Sequence, residues 1–151
     1  MSELYFENVI EKGNLYLDHI LYEFEDEPIL FLCKDKDGNR YLCHCAEIRG
    51  ERRWVLIEIS LELLKSLIED ETDIASAFLS QEKAIQIRMD LQGCEKSSVI
   101  DTAKMDRLDL PKEGTLVRCD KEKAREYLHK SEKEMLLFLC NLTEYLTKRT
   151  F

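Results

Sequence analysis

Residues 20–60, ILYEFEDEPILFLCKDKDGNRYLCHCAEIRGERRWVLIEIS, decide the fold. Runs rich in Ile, Leu, Val, Phe and Tyr are cut by three turn-like stretches: Glu25-Asp26-Glu27-Pro28, Asp37-Gly38 and Arg49-Gly50-Glu51-Arg52. Apolar runs bounded by such residues read as strands joined by tight turns, so the stretch is a four-stranded antiparallel meander. Asp-Gly suits a two-residue loop, because both central residues of a type I′ turn take positive φ. That loop sets Cys33 opposite Leu42 and Phe31 opposite His44. A Gly50-Glu51 loop sets Ala46 opposite Val55 and His44 opposite Ile57, and the first turn sets Phe24 opposite Ile29 and Tyr22 opposite Phe31.

Side chains alternate along a strand, so this register sorts the sheet. Ile20, Tyr22, Phe24, Ile29, Phe31, Cys33, Leu42, His44, Ala46, Ile48, Val55, Ile57 and Ile59 are expected on the core face. The other face collects His19, Leu21, Glu23, Leu30, Leu32, Lys34, Tyr41, Cys43, Cys45, Glu47, Trp54, Leu56 and Glu58. It is too apolar to be wholly solvated, and a second layer or a partner is expected over part of it.

Outward from the meander, Ser60 stands as an N-cap before Leu61, Leu63, Leu64, Leu67 and Ile68, which predicts a helix over about 61–70. Asp73 is expected to cap a short helix over 74–79. Ile85, Ile87, Met89 and Leu91 alternate with Gln86, Arg88 and Asp90, the pattern of a half-buried strand. Residues 97–100 and 115–119 are further strand candidates, separated by a turn at 111–114. From 121 to 148, Ala124, Leu128, Ser131, Met135, Phe138, Leu142 and Tyr145 recur at alternating steps of four and three, a helical seam. Leu136, Leu137, Leu139 and Cys140 widen its middle to nearly the whole circumference. Such a helix needs cover on more than one side. The cover expected is the 61–68 helix, the 92–119 segment or the same helix of a second copy, with Met135, Phe138, Leu139, Leu142 and Tyr145 as candidate interface residues.

The chain has 151 residues, 44% of them hydrophobic and 35% charged, with net charge −9. This suits one α+β domain over residues 1–151: a meander of about four N-terminal strands packed with helices, including a long C-terminal one. The longest uninterrupted apolar run, 135–140, is far short of a membrane span, and the acidic start lacks the pattern of a secretory signal. A cytoplasmic protein is expected. The acidic balance argues against a nucleic-acid partner, although residues 121–151 hold seven bases against five acids.

Chemistry is sparse. No Gly-rich phosphate loop, Gly-x-Ser-x-Gly elbow or His-Glu-x-x-His helix is present. Cys43 and Cys45 share a strand face, but the Cys-x-x-Cys knuckles of structural zinc sites are missing, so neither metal nor cofactor is expected. With no export signal, the six cysteines are expected as reduced thiols. His44 is expected as a buried core histidine. Tyr41, Glu47, Trp54 and Glu58, on one predicted face, are the candidate polar pocket.

The segments Ile20 to Cys33, Asp37 to Cys43 and Glu47 to Trp54, with Leu110-Pro111-Lys112-Glu113-Gly114 further on, resemble a group of small uncharacterised bacterial and phage proteins that carry a domain of unknown function. The likeness covers roughly 15–80. It implies a compact α+β domain in a prokaryotic or phage setting and supplies no activity, cofactor or site residue. Two functions remain open. One is a non-enzymatic interaction or regulatory module that binds an unknown protein partner or a second copy through the C-terminal helix. The other is a small hydrolase or small-molecule-binding protein using Tyr41, Glu47, Trp54 and Glu58.

Overall fold

The computed structural model describes residues 3–148. In chain order the elements are β1 (Glu3–Val9), β2 (Gly13–Phe24), β3 (Glu27–Lys34), β4 (Arg40–Glu47), β5 (Arg52–Glu58), α1 (Leu61–Ile68), α2 (Ile74–Leu79), β6 (Lys83–Met89), β7 (Glu95–Asp101), two 3-10 turns (Thr102–Lys104 and Arg107–Asp109) and α3 (Lys121–Lys148). The strands form one antiparallel sheet in sequence order, with seven strands rather than about four. The acidic amino-terminal residues form β1, and β6 and β7 extend the other edge. Residues 115–119, expected as a strand, run without regular structure, and the Thr115 carbonyl accepts the Ile74 N–H (3.0 Å) at the start of α2.

Hairpin geometry explains where the register departs from expectation. Gly38 lies at φ 87° and its N–H donates to the Asp35 carbonyl (3.2 Å), while the Asp35 N–H donates to the Asn39 carbonyl (3.1 Å). This is a three-residue loop, Lys36-Asp37-Gly38, with glycine at the left-handed position of a bulge. One extra loop residue moves the β3–β4 pairing by one, so Leu30 faces His44 and Phe31 faces Cys43. Phe31 and His44 therefore project to opposite faces, and β3 is inverted relative to the expected sorting. The two-residue loop with both φ positive is Glu25-Asp26 (50° and 64°), which pairs Phe24 with Glu27. Between β4 and β5 the shift is two residues, His44 facing Val55 and Leu42 facing Ile57, so those side chains keep their expected face.

Both faces of the sheet are core. On the outer face Leu21, Leu30, Leu32, Leu42, Val55 and Ile57 pack under Leu64 and Leu67 of α1, Phe78 of α2, Val117, and Ala124 and Leu128 of α3. The inner face buries Phe6, Leu15, Phe31, Cys33, Tyr41, Cys43, Trp54, Leu56, Ile85 and Ile87 against one another. The Phe6 and Trp54 rings stand 5.2 Å apart, yet β1 and β5 are four strands apart, roughly 19 Å in a flat sheet. The sheet is rolled on itself, and the Ile10 N–H donates to Ser97 Oγ (2.8 Å), joining the β1 end to the β7 edge. The second layer expected over the mixed face is thus the sheet's own far side.

The helices form where their caps and apolar spacing put them. Ser60 Oγ accepts the Leu63 N–H at 3.1 Å to start α1. Asp73 stands at the N-cap of α2, but its carboxylate accepts the Gly114 N–H (2.8 Å) and so ties the 110–118 segment to α2. Arg53 reaches buried Asp109 at 2.9 Å and Gln86 Nε2 donates to the same carboxylate (3.3 Å), which pins the second 3-10 turn to the outer face. No helix among the described residues is long and apolar enough to cross a membrane.

Candidate functional site

Tyr41, Glu47, Trp54 and Glu58 are placed at two ends of the β4–β5 pair. Tyr41 faces Glu58 at one end, while Trp54 faces Cys45 and Glu47 faces Arg53 at the other. Positions 41 and 47 are six residues apart, about 20 Å along a strand. Tyr41 is buried and its hydroxyl donates to Asp35 (3.1 Å). Burial, reinforced by the Asp35 charge, pushes that phenol well above its usual range. Trp54 is buried in the rolled sheet, with the Arg52 guanidinium 4.8 Å from its ring centre. The Glu47 carboxylate accepts the Arg49 N–H (2.9 Å), and exposed Glu58 lies 4.0 Å from Lys12. These roles are turn-capping, packing and surface pairing, with no shared pocket.

The structure assembles a different polar group, one that the sequence does not announce. Tyr127 of α3 donates its hydroxyl to Asp18 of β2 and accepts from Arg40 Nε (2.8 Å) of β4. Its ring stacks on His19 at 4.7 Å and 16°. Lys34 bridges Asp18 (3.7 Å) and Glu134 (3.8 Å). Burial lowers the His19 pKa, against an upward pull from Asp18 and with a further downward push from Lys123. A cavity of about 260 Å³ opens beside this group, lined by His19, Glu23, Cys119, Asp120 and Lys123 among others. Residues 18 and 127 are joined only by tertiary packing, so no local spacing marks them.

His44 lines a second cavity of about 210 Å³ between the outer sheet face, α2 and the 111–118 segment, with Tyr22, Leu30, Ile74, Leu116 and Arg118. Its Nδ1 is buried with no hydrogen-bond partner among the described residues. Burial pulls its pKa down to about 4, against a weaker upward effect of the Ile29 backbone. No carboxylate lines this cavity, so nothing there orients the imidazole as a general base.

The third feature is α3. Its first turns are seated: Ala124, Leu128 and Ser131 are 0%, 5% and 3% exposed. Arg125 pairs with Glu69 (2.7 Å), and Lys121 donates to the Ile68 carbonyl (2.9 Å) at the end of α1. Beyond Ser131 the same seam leaves the body. Met135, Phe138, Leu139, Leu142 and Tyr145 are 49%, 63%, 50%, 41% and 53% exposed. Neither α1 nor the 92–119 segment supplies the cover that the apolar pattern called for. Residues 132–148 continue as helix for about 25 Å, and Glu144 is the only ionisable acid or base other than Cys140 and Tyr145 between 135 and 147. Thr143 donates to the Leu139 carbonyl (2.9 Å), so its hydroxyl is satisfied on the helix itself. All six cysteines stand as free thiols, Cys94 and Cys140 exposed.

Comparison with known proteins assigns most of the chain to one family. The sequence pattern of a family of unknown function (DUF6575) matches residues 10–136, which takes in β2 to β7, α1, α2 and the seated part of α3. No curated protein and no solved structure matches the chain. With most of its length matched, the chain belongs to this family of unknown function, DUF6575.

Proposed function

We propose that the protein is a non-enzymatic interaction or regulatory module whose docking element is the outer part of α3. The observation that carries this reading is a helix with one face seated on the body and the same face apolar and exposed beyond it. Isolated exposed apolar residues are ordinary, but a contiguous patch of several hundred Å² marks a binding surface. The Tyr127 group, the Arg125–Glu69 pair and Lys121 fix the angle at which the helix leaves the body, so the element is presented rigidly. Rigid presentation lowers the ordering cost of binding.

The bacterial or phage setting and a cytoplasmic location are part of the proposal. They rest on the resemblance of residues 20–54. The acidic body further favours a protein partner over nucleic acid. A photo-crosslinking residue in place of Leu139, expressed in cells in the full chain, tests the reading. Discrete adducts at 139 that are absent when the crosslinker replaces Asp37 in the β3–β4 loop are expected. Absence of any adduct at 139 overturns it.

A small-molecule-binding role is the second reading, and the buried Nδ1 of His44, without a hydrogen-bond partner among the described residues, favours its cavity over the Tyr41, Glu47, Trp54 and Glu58 set. Small aromatic or carboxylate fragments that shift the His44 ring resonances by NMR would support it, and a fragment screen leaving them unmoved would remove it.

A further inference from the structure

We infer that the cavity under the 111–118 segment binds a small hydroxy acid, with an apolar body the size of a single ring among the aliphatic side chains, a hydroxyl donating to His44 Nδ1 and a carboxylate at Arg118. This rests on the small-molecule reading above, is independent of α3, and names the class of ligand. The cavity holds about 210 Å³. A cavity of about 150 Å³ takes benzene, so one ring with a short polar arm fills it. Ile29, Leu30, Ile74, Pro111 and Leu116 make most of its wall apolar. The wall is also preformed. The Gly114 N–H donates to the Asp73 carboxylate (2.8 Å), the Ile74 N–H donates to the Thr115 carbonyl (3.0 Å), and buried Val117 anchors the segment in the core.

Two polar groups select the ligand. The His44 ring stands edge-on to Phe78 at 6.3 Å, and burial, which pulls its pKa down to about 4, keeps it uncharged at neutral pH. The Ile29 backbone acts weakly in the opposite direction, which is the action of a carbonyl accepting from a ring N–H. Nδ1 has no hydrogen-bond partner among the described residues, so the proton of the neutral ring sits on Nε2 and Nδ1 presents a lone pair. Leaving a buried lone pair unpaired forfeits its hydration, and a ligand hydroxyl restores a donor to it. A carboxylate cannot, having no proton to give. The place for the carboxylate is Arg118, which is exposed, lines the same cavity and makes no ion pair among the described residues. No carboxylate of the protein lines the cavity. In a chain of net charge −9, this acid-free lining favours an anion locally, by contact with the guanidinium.

Titration of the full chain, followed by NMR through the His44 ring and the Ile74 and Leu116 methyl resonances, tests the inference. Meta- or para-hydroxybenzoate is expected to bind with a Kd below about 1 mM, a fair affinity for about ten non-hydrogen atoms. Benzoate, which lacks the hydroxyl, should bind about tenfold more weakly, phenol about fivefold more weakly, and benzylammonium not at all. Arg118→Gln, at an exposed position that leaves the fold intact, should weaken the hydroxybenzoates about fivefold and leave phenol unchanged. His44→Leu should erase the preference for hydroxybenzoate over benzoate, read at the two methyl groups.

Phenol or benzylammonium binding as tightly as the hydroxybenzoates, or Arg118→Gln without effect on them, overturns the hydroxy-acid class while the cavity stands as a small-molecule site. Benzoate equal to the hydroxybenzoates, or a preference that survives His44→Leu, overturns it in the same way. If no probe moves the His44, Ile74 or Leu116 resonances, the hydroxy acid and the small-molecule reading fall together.

Discussion

The Asp35 carboxylate organises the hairpin that sets the sheet's register. It accepts the N–H groups of Asp37 (2.9 Å) and Asn39 (3.0 Å), the Asn39 side-chain amide (3.0 Å) and the Tyr41 hydroxyl (3.1 Å). Partial burial raises its pKa, but these hydrogen bonds outweigh burial and the net shift is downward. Gly38 completes the loop at φ 87° with open space around it. Gly38→Ala should therefore cost backbone strain alone, about 1–2 kcal/mol, read as a lower urea midpoint with unchanged slope. His44 gives a pH prediction with a defined sign. Its folded pKa, about 4, lies below the ordinary 6.5, so the unfolded chain takes up the proton first. Stability is full above pH 6.5 and falls as the pH drops towards 4, by about 2–3 kcal/mol. His19, also lowered, adds to the same slope. His44→Leu should reduce the loss of stability between pH 7 and 4.5 without abolishing it, and an unchanged slope would show that the imidazole is solvated.

At the scale of elements, α3 is one helix with two environments. The seam residues 124, 128 and 131 are gripped by α1 and the sheet, and the same spacing carried onward has no body to meet. What holds the seated part at its angle is polar as well as apolar. Tyr127→Phe removes the hydroxyl that both Asp18 and Arg40 use, and should cost about 1–2 kcal/mol by thermal or urea unfolding. It should also loosen α3 against β2, visible as faster amide exchange over 121–131 with the β4–β5 core unaffected. Uniform loss of protection over the whole chain would instead mean that α3 and the sheet unfold as one unit.

For the whole molecule, the rolled sheet decides which thiols meet solvent. Cys33, Cys43 and Cys45 lie on the inner face and are buried. Burial, with Cys33 beside it, pushes the Cys43 thiol up, and burial does the same to Cys45 against the nearby Arg52. Thiolate is the reactive form, so native labelling with a maleimide should modify Cys94 and Cys140 rapidly, and Cys33, Cys43 and Cys45 only on unfolding. Cys140 is on the far side of α3 from the seam, so whatever meets the seam should leave its labelling unchanged. Rapid reaction at Cys43 would mean that the sheet opens between β1 and β7.

Local pattern was enough to place α1 behind Ser60, α2 over Ile74–Leu79, α3 over Lys121–Lys148 and β3, β4, β5 and β6, because period, caps and turn residues act within a few positions of one another. It also set Leu42, His44, Val55 and Ile57 on one face, since an error of two residues leaves alternation intact. It did not set β3 against β4, because one additional loop residue, chosen by the Asp35 carboxylate and the left-handed Gly38, inverts every side chain. Nor could it show that the apolar second face closes on itself. Ring contacts such as Phe6 to Trp54 depend on the twist accumulated over four strand pairings, a property of no single strand. Met135, Phe138, Leu139, Leu142 and Tyr145 were legible as an apolar face, but the exposure of Met135, Phe138, Leu139 and Leu142 came from tertiary structure alone, because it depends on where the body ends along α3.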